Sequence, residues 1–226
     1  MVTYLKDAKT CSPPNRDKEC AIDPGIRKFL TVYSPQGRVD ILGTNTNSTL
    51  DKLLRRNDRA QQRLGRHSDY YSAKKDLGRT RRIKKRLRHR MARLKRRYRD
   101  AELRATNTIK DLHYKAAHFL CQNYETILYP HFNAHSIATG TLNRKVKRRL
   151  NMLSFFKFST RLKHTCTFYA TTLQRGSEAY TSKQCGGCGV LNDKLGGSET
   201  FKCKGCGLHA DRDVHAARNI FLRHLC

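Results

Sequence analysis

The sequence predicts a mixed α/β domain: a sheet flanked by helices, with a long basic helical segment inserted after the third strand and a small metal-binding insert near the end. Three observations predict it. Between Glu19 and Leu42, short runs of β-formers are separated by Asp-Pro-Gly and Pro-Gln-Gly turns. From about Leu50 to Asn123, apolar residues recur at three- and four-residue steps, the period of a helix. Towards the C-terminus, two Cys-x-x-Cys-Gly motifs stand 14 residues apart, a spacing suited to one shared metal.

Taken in order, the polar residues 1–18, with Pro13 and Pro14, read as a disordered lead-in. The run Glu19-Cys20-Ala21-Ile22 is a first strand that breaks at Asp23-Pro24-Gly25. Phe29 to Tyr33 is a second strand and Arg38 to Leu42 a third, which makes an antiparallel meander with Asp23 at the exit of its first strand. Leu53, Leu54, Leu64, Leu77, Ile83, Leu87, Met91, Leu94 and Tyr98 then mark a helical hairpin over about 50–123, with Gly65 and Gly78 at its bend. Thr126 to Tyr129 is a short buried strand ended by Pro130. A basic helix follows near Asn143 to His164, then a strand from Thr167 to Arg175, and a closing helix from about Arg212 to Leu225. Residues 19–180 therefore form the core with its helical insert, 181–210 the metal-binding insert, and 211–226 the last helix. An RNase H arrangement is one fold with this order, although order alone does not choose it.

Lys and Arg total 47 against 18 acidic residues, a formal charge of +29. Folding does not require such an imbalance, and its self-repulsion points to a polyanionic partner. About half of these cations lie on the helical hairpin, among them Arg81, Arg82, Lys84, Lys85 and Arg86; with Lys183 and Arg212 they are the expected contacts to a nucleic-acid backbone. A solvated helix face or a nuclear-localisation run would look similar. No stretch approaches the 18 or so apolar residues a spanning helix needs, and no membrane partner is expected. The N-terminal run from Met1 to Cys20 lacks the apolar core of a signal peptide. Of nine cysteines, five are scattered, which argues against a secreted disulfide scaffold and for a reducing compartment. The expected setting is the cytoplasm of a prokaryote, or the nucleus of a eukaryotic or virus-infected cell.

Cys185, Cys188, Cys203 and Cys206 are expected to bind a structural zinc ion through four thiolates, with no position left open for chemistry. The Gly after each second Cys is expected to let backbone NH groups turn towards sulfur. His209 is read as an ordinary polar residue, since four thiolates already complete the site.

In a chain this poor in acids, carboxylates at strand and helix ends stand out. Asp23 ends an apolar strand, although a plain Asp-Pro-Gly turn accounts for the same residues. In Asp211-Arg212-Asp213-Val214-His215-Ala216-Ala217-Arg218-Asn219-Ile220, Asp211 suits the N-cap of the last helix. Asp213 is then free to project from the first turn, and Ala216 and Ala217 permit close packing on the sheet.

Ala21-Ile22-Asp23-Pro24-Gly25, Tyr180-Thr181-Ser182-Lys183 and the D-R-D-x-x-A-A-R-N-I run resemble the TnpB/OrfB transposon-encoded nucleases, relatives of the type V CRISPR effectors and of the Fanzor proteins. The resemblance covers residues 19 to 223 and is most specific in the last 50. It implies an RNase H-like (RuvC) nuclease with an inserted zinc ribbon, which cuts DNA under the guidance of a bound RNA and uses magnesium or manganese. On that basis Asp23 is the first catalytic carboxylate and Asp213 the last. The middle one departs from the usual pattern, because Pro130 stands where a glutamate ends the fourth strand. Glu125 lies about 16 Å away at the other end of that strand. Glu178 is the expected substitute, matching the relocated glutamate of the Fanzor-like branch. The family's members are considerably longer, and only a short polar stretch precedes β-forming sequence and Asp23 here. The sequence therefore reads as an N-terminally truncated, metal-dependent DNA endonuclease, its oligomeric state open. The alternative is a catalytically inactive, nucleic-acid-binding zinc-ribbon protein.

Overall fold

The computed structural model describes residues 13, 15–73, 81–132, 142–176, 181–192, 196 and 198–225. The chain divides into two compact units, one of Met1–Thr44 with Leu112–Cys226 and the other of Asn45–Asp111.

The first unit is built on a five-stranded sheet. Strands β1 (Asp17–Pro24), β2 (Leu30–Tyr33) and β3 (Val39–Leu42) form the antiparallel meander expected from the turn signals. The strand β4 (Tyr124–Pro130) lies parallel to β1, and β5 (Thr172–Gly176) lies parallel to β4. The order β3-β2-β1-β4-β5 puts β1 in the centre, where Cys20, Ala21 and Ile22 are fully buried. The parallel pairs align the C-terminal ends of β1, β4 and β5. Ala21 is level with Leu128, and Pro130 with Gly176. Pro130 lacks an NH to donate, and its place at the last pair of β4 is one that a proline can occupy.

Helices cover the sheet. The end of α2 (Arg81–Asn123), α3 (Arg144–Leu153) and α4 (Phe155–Tyr169) carry an aromatic cluster. There Phe29 stacks on His113 and Phe155, with ring centroids 5.4 and 5.3 Å apart, and meets Phe158 edge-on at 5.0 Å. The last helix, α5 (Arg212–Leu225), packs Ile220 and Phe221 on Ala21 and Leu128 of the sheet. Truncating a buried aliphatic such as Ile22 to alanine would cost about 2–5 kcal/mol. Arg16, just ahead of β1, donates to Thr171 Oγ1 at 3.0 Å and lies 3.4 Å from the carbonyls of Cys121, Tyr124 and Tyr169. One cation thus satisfies carbonyls at three element ends.

The second unit is the helical hairpin, made of α1 (Thr46–Ala73) and the Arg81–Asp111 part of α2. Leu50, Leu54, Ala101, Ala105 and Ile109 are buried in it. Gly65 does not bend the chain: it lies inside α1, where neighbouring helix formers offset the roughly 1 kcal/mol a mid-helix glycine costs. Gly78 lies outside the described residues.

Two other boundaries differ from expectation. The single basic helix is two, α3 and α4, divided at Ser154, which adopts the left-handed conformation with φ +47°. The strand expected from Thr167 begins only at Thr172, because α4 runs on to Tyr169 and closes at Ala170 with φ +51°. The β-branched residues there stay helical, since tertiary packing of Thr165, Cys166 and Tyr169 outweighs local preference. The first strand starts at Asp17, within the stretch read as lead-in; residues 1–12 and 14 of that stretch lie outside the described residues. No helix among the described residues is long and apolar enough to cross a membrane.

Candidate metal centres and nucleic-acid surface

Two turns and a short hairpin, β6 (Thr200–Lys202) with β7 (His209–Asp211), bring four cysteines together. The sulfurs of Cys185, Cys188, Cys203 and Cys206 all lie within 4.8 Å of one another, an arrangement that could hold a metal ion. Cys185 and Cys206 are 3.6 Å apart, and Cys188 and Cys203 3.5 Å. The two turns repeat the same bonding. Gly187 NH points at Cys185 Sγ at 3.4 Å, and Gly205 NH at Cys203 Sγ at 3.3 Å. These donors sit between the cysteines, and past the first trailing glycine the Val190 backbone also hydrogen-bonds the Cys188 thiol, as expected of that glycine. Gly189 and Gly207 take φ +78° and +73° and donate to the carbonyls of Cys185 and Cys203, which closes each turn. Backbone NH groups, chiefly that of Cys206, lower the Cys203 thiol pKa, while, against the Val190 backbone, the side-chain hydrogen bond to Cys203 raises that of Cys188. His209 is exposed on β7 and is not part of the cluster.

The ribbon is bound to α5 by polar contacts that the sequence reading did not single out. His215 and Asn219, one turn apart, are buried among Ala216, Ala217 and Ile220. His215 Nε2 accepts from Gly186 NH at 3.1 Å, and its ring stacks on Phe201 at 4.0 Å. Asn219 Nδ2 donates to the carbonyls of Thr181 and Gln184 at 2.8 and 2.7 Å. Burial and, less, the Arg218 charge lower the His215 pKa, consistent with a neutral ring that accepts at Nε2. The available signal was a pair of polar residues at helical spacing on an otherwise apolar face.

Asp23 is the seventh of the eight residues of β1, paired with Thr31 of β2, and is half-buried at the C-terminal end of the sheet. Asp211 caps α5 as expected, its Oδ1 accepting from the NH groups of Asp213 and Val214 at 3.0 and 3.1 Å. Asp213 leaves the first turn with 30 % of its side chain exposed. The β1–β2 turn that follows Asp23 carries Lys28, whose Nζ lies 2.8 Å from Asp211 Oδ2 and 3.5 Å from Asp213 Oδ2. Burial would lower the Lys28 pKa, but the Asp211 hydrogen bond and the Asp213 charge outweigh it and raise the value. Lys28 thus joins the turn after Asp23 to the start of α5, and nothing in its local sequence announces this. Glu178 lies outside the described residues; β5 ends two positions before it, at Gly176, level with Pro130. Glu125 is exposed at the opposite end of β4. Among the described residues, the four cysteines are the one group of three or more that could hold a metal.

Of the expected backbone contacts, Arg82, Lys84, Lys85, Arg86 and Lys183 are exposed. Arg81 begins α2, and its side chain lies outside the described residues. Arg212 is differently engaged: its Nη1 donates to Gly196 O at 2.8 Å and lies 3.3 Å from Ser198 O, holding the ribbon. The hairpin adds a feature the sequence reading missed. Arg56, Arg59, Arg63, Arg97 and Arg104 line one crevice of about 470 Å3 between α1 and α2, with Asp100 beside them. Read separately, each helix gave only its total charge.

The sheet order, the four-cysteine ribbon and the closing helix define a mixed α/β fold of the Cas12f type. The chain superposes on a solved Cas12f1–sgRNA–target DNA complex with a TM-score of 0.57 at 18% identity, over 92% of this chain and 50% of that one. A mini RNA-guided endonuclease, CRISPR-Cas phi3, gives 0.53 at 13% identity over 92% and 45%. Residues 155–220 match the family model for the Cas12f1-like TNB domain. A TnpB-like protein of Acanthamoeba polyphaga mimivirus is 34% identical over 91% of this chain and 37% of its own length. A putative transposase of Paramecium bursaria Chlorella virus 1 is 32% identical over 91% and 43%. Over about nine tenths of its length the chain is similar to these TnpB-like and transposase proteins, and it spans about two fifths of the length of these relatives.

Proposed function

We propose that this chain is the catalytic core of a metal-dependent DNA endonuclease. The observation that carries the reading is the meeting of two chain-distant elements at one sheet edge. Asp23 stands at the end of β1, and the turn after it is ion-paired through Lys28 to the first turn of α5, which bears Asp213. Carboxylate oxygens suit hard cations such as Mg2+ or Mn2+. Bound there, such ions would activate water and stabilise the leaving oxygen in phosphodiester hydrolysis. Asp23 and Asp213 would supply oxygen ligands from two rigid elements. Glu178, two positions beyond the end of β5, would supply the third in place of the glutamate that Pro130 displaces.

The second metal is zinc. Tetrahedral thiolates about 2.3 Å from zinc stand about 3.8 Å apart, and the two close sulfur pairs at 3.6 and 3.5 Å fit that spacing. The partner is DNA, gripped through phosphate by the exposed Arg82–Arg86 run and by the arginine crevice between α1 and α2. Such binding is independent of sequence and falls steeply with salt. A solved relative is a complex with sgRNA and target DNA, and by analogy a guide RNA would select the target.

Cleavage of single- and double-stranded DNA with and without Mg2+, for the protein and its Asp23→Ala and Glu178→Gln variants, tests this. Metal-dependent products that both variants lose are expected. Identical products from the protein and Asp23→Ala would reject the site. Binding with no cleavage would favour the alternative reading, an inactive nucleic-acid-binding protein. That reading has one observation in its favour: Lys28 already neutralises Asp211 and Asp213. Sequencing of RNA that co-purifies with the protein tests guidance separately.

A further inference from the structure

The outer face of α4 carries aromatic side chains that the core does not use. Phe155, Phe158, Leu162, Thr165, Cys166 and Tyr169 turn inwards and are buried. Phe156 and Phe168 turn outwards, 83% and 51% exposed, and Tyr114 on α2 is 50% exposed. Between α4 and α2 these rings border an open groove of about 670 Å3 whose remaining lining includes Lys157, Arg161 and His164. No carboxylate lines it among the described residues. The Arg161 guanidinium lies 3.5 Å over the Tyr114 ring, which makes a flat, cationic stacking platform. Its lining positions on α4 recur at one- to three-residue steps from Phe156 to Phe168, a span of about 18 Å at 1.5 Å per residue.

Exposed rings grouped in this way mark an interaction site, and the charge around them selects the partner. Aromatic faces accept unpaired bases, and interleaved cations accept the phosphates that connect them. A duplex keeps its bases stacked inside and would leave the rings unused. A protein partner with an ordinary mixed surface would meet the charges of Lys157 and Arg161 with no carboxylate of the groove to offset them. We propose that the groove between α2 and α4 is a binding site for single-stranded nucleic acid, separate from the carboxylate edge. Bases stack on Phe156, Phe168 and the Tyr114–Arg161 platform, while Lys157 and His164 lie along the phosphates. Strand identity, DNA or RNA, is decided by sugar contacts and not by stacking.

The test measures binding of fluorescein-labelled dT12, U12 and an abasic 12-mer of equal charge by anisotropy. It uses the full chain without added divalent cation, so cleavage does not enter. The expected result is that dT12 or U12 binds more tightly than the abasic strand. Phe156→Ala/Phe168→Ala should weaken the favoured oligomer about tenfold or more, since each stacked base contributes that order of affinity, with the salt slope unchanged. Phe156→Tyr/Phe168→Tyr should restore it. Photocrosslinks from 5-iodouracil oligomers should fall in the peptides holding Tyr114, Phe156 or Phe168. The single variant Phe156→Ala, at the most exposed position, guards against a folding defect in the double variant. Equal binding of the abasic strand, or crosslinks confined to α1 and the first part of α2, would overturn the proposal. So would a dimer in sedimentation that Phe156→Ala/Phe168→Ala makes monomeric, because the face would then be a contact between copies. These outcomes are independent of whether Asp23 supports cleavage.

Discussion

The ribbon and the carboxylate edge are two candidate metal centres in one compact unit, and they are built in opposite ways. The ribbon takes all its ligands from one short stretch, Cys185 to Cys206, and repeats one bonding pattern twice. Its geometry is local, and spacing alone reveals it. The carboxylate edge draws Asp23 from a central strand near the start of the chain and Asp213 from the helix that closes it, with Glu178 expected from a third element. It exists only once β1, β4, β5 and α5 are in register. A structural centre can be read from a motif, whereas a centre placed at a sheet edge depends on topology.

The largest effect that separates them concerns the ribbon. Cys185→Ser, or a strong chelator, should release one zinc per chain, a site with about 10–16 kcal/mol of apparent binding free energy in comparable small folds. Atomic-emission metal content, together with loss of protection of the Cys185–Asp211 backbone in hydrogen exchange, checks this. If the metal content is unchanged, the ribbon is not a zinc site. The carboxylate edge should respond in the other sense. Asp23→Ala or Asp213→Ala should leave zinc and folding unchanged yet lower Mg2+-dependent cleavage about a thousandfold, roughly 4 kcal/mol of transition-state stabilisation. A loss of only a few-fold in both variants would break the assignment.

The junction between ribbon and α5 gives a smaller, structural prediction. A Cβ added at Gly186 would run into Asn219 Oδ1 and stand 3.0 Å from Arg218 Nη1. Gly186→Ala should therefore push Asn219 off the carbonyls of Thr181 and Gln184 and destabilise the protein by about 1–3 kcal/mol. Urea denaturation measures it. An unchanged midpoint would mean that the latch contributes nothing to stability.

How much of this was legible follows the same division. The antiparallel meander, the buried strand β4 and the closing helix were visible because period-2 runs, turn residues and an Asp cap are local signals, whereas the parallel pairing of β4 appears only in the fold. The cysteine cluster was visible for the same reason. The division of α3 from α4 at Ser154 was not, because a serine in the left-handed conformation is imposed by packing and carries no mark in sequence. Lys28, His215, Asn219 and the arginine crevice were missed because each acts across elements. Lys28 reaches a helix 183 positions away, and Arg63 meets Arg97 only after the hairpin closes. Glu178 was named by resemblance, since no local pattern marks it.

The smallest effect separates the two aspartates of α5. Asp211 holds the helix cap and the closer contact to Lys28, while Asp213 accepts neither of those backbone NH groups and stands 3.5 Å from Lys28. Asp211→Ala should cost about 1 kcal/mol, the usual value of a lost N-cap, whereas Asp211→Asn keeps an Oδ1 acceptor and should cost less. The pH dependence has a definite sign. Burial would raise the Asp211 pKa, but the Lys28 hydrogen bond and the Val214 NH outweigh it and hold the carboxyl below its ordinary value. A depressed folded-state pKa contributes stability that is fully present above the unfolded carboxyl range near pH 4 and is lost as pH falls through the folded value. The stability gap between the protein and Asp211→Ala should therefore be constant at neutral pH and shrink on acidification below about pH 4. Cleavage gives the decisive contrast. Asp211→Asn should keep most of its Mg2+-dependent activity while Asp213→Asn loses it. The reverse pattern would exchange their roles, making Asp211 the metal ligand and leaving Asp213 as the Lys28 partner at the start of the helix.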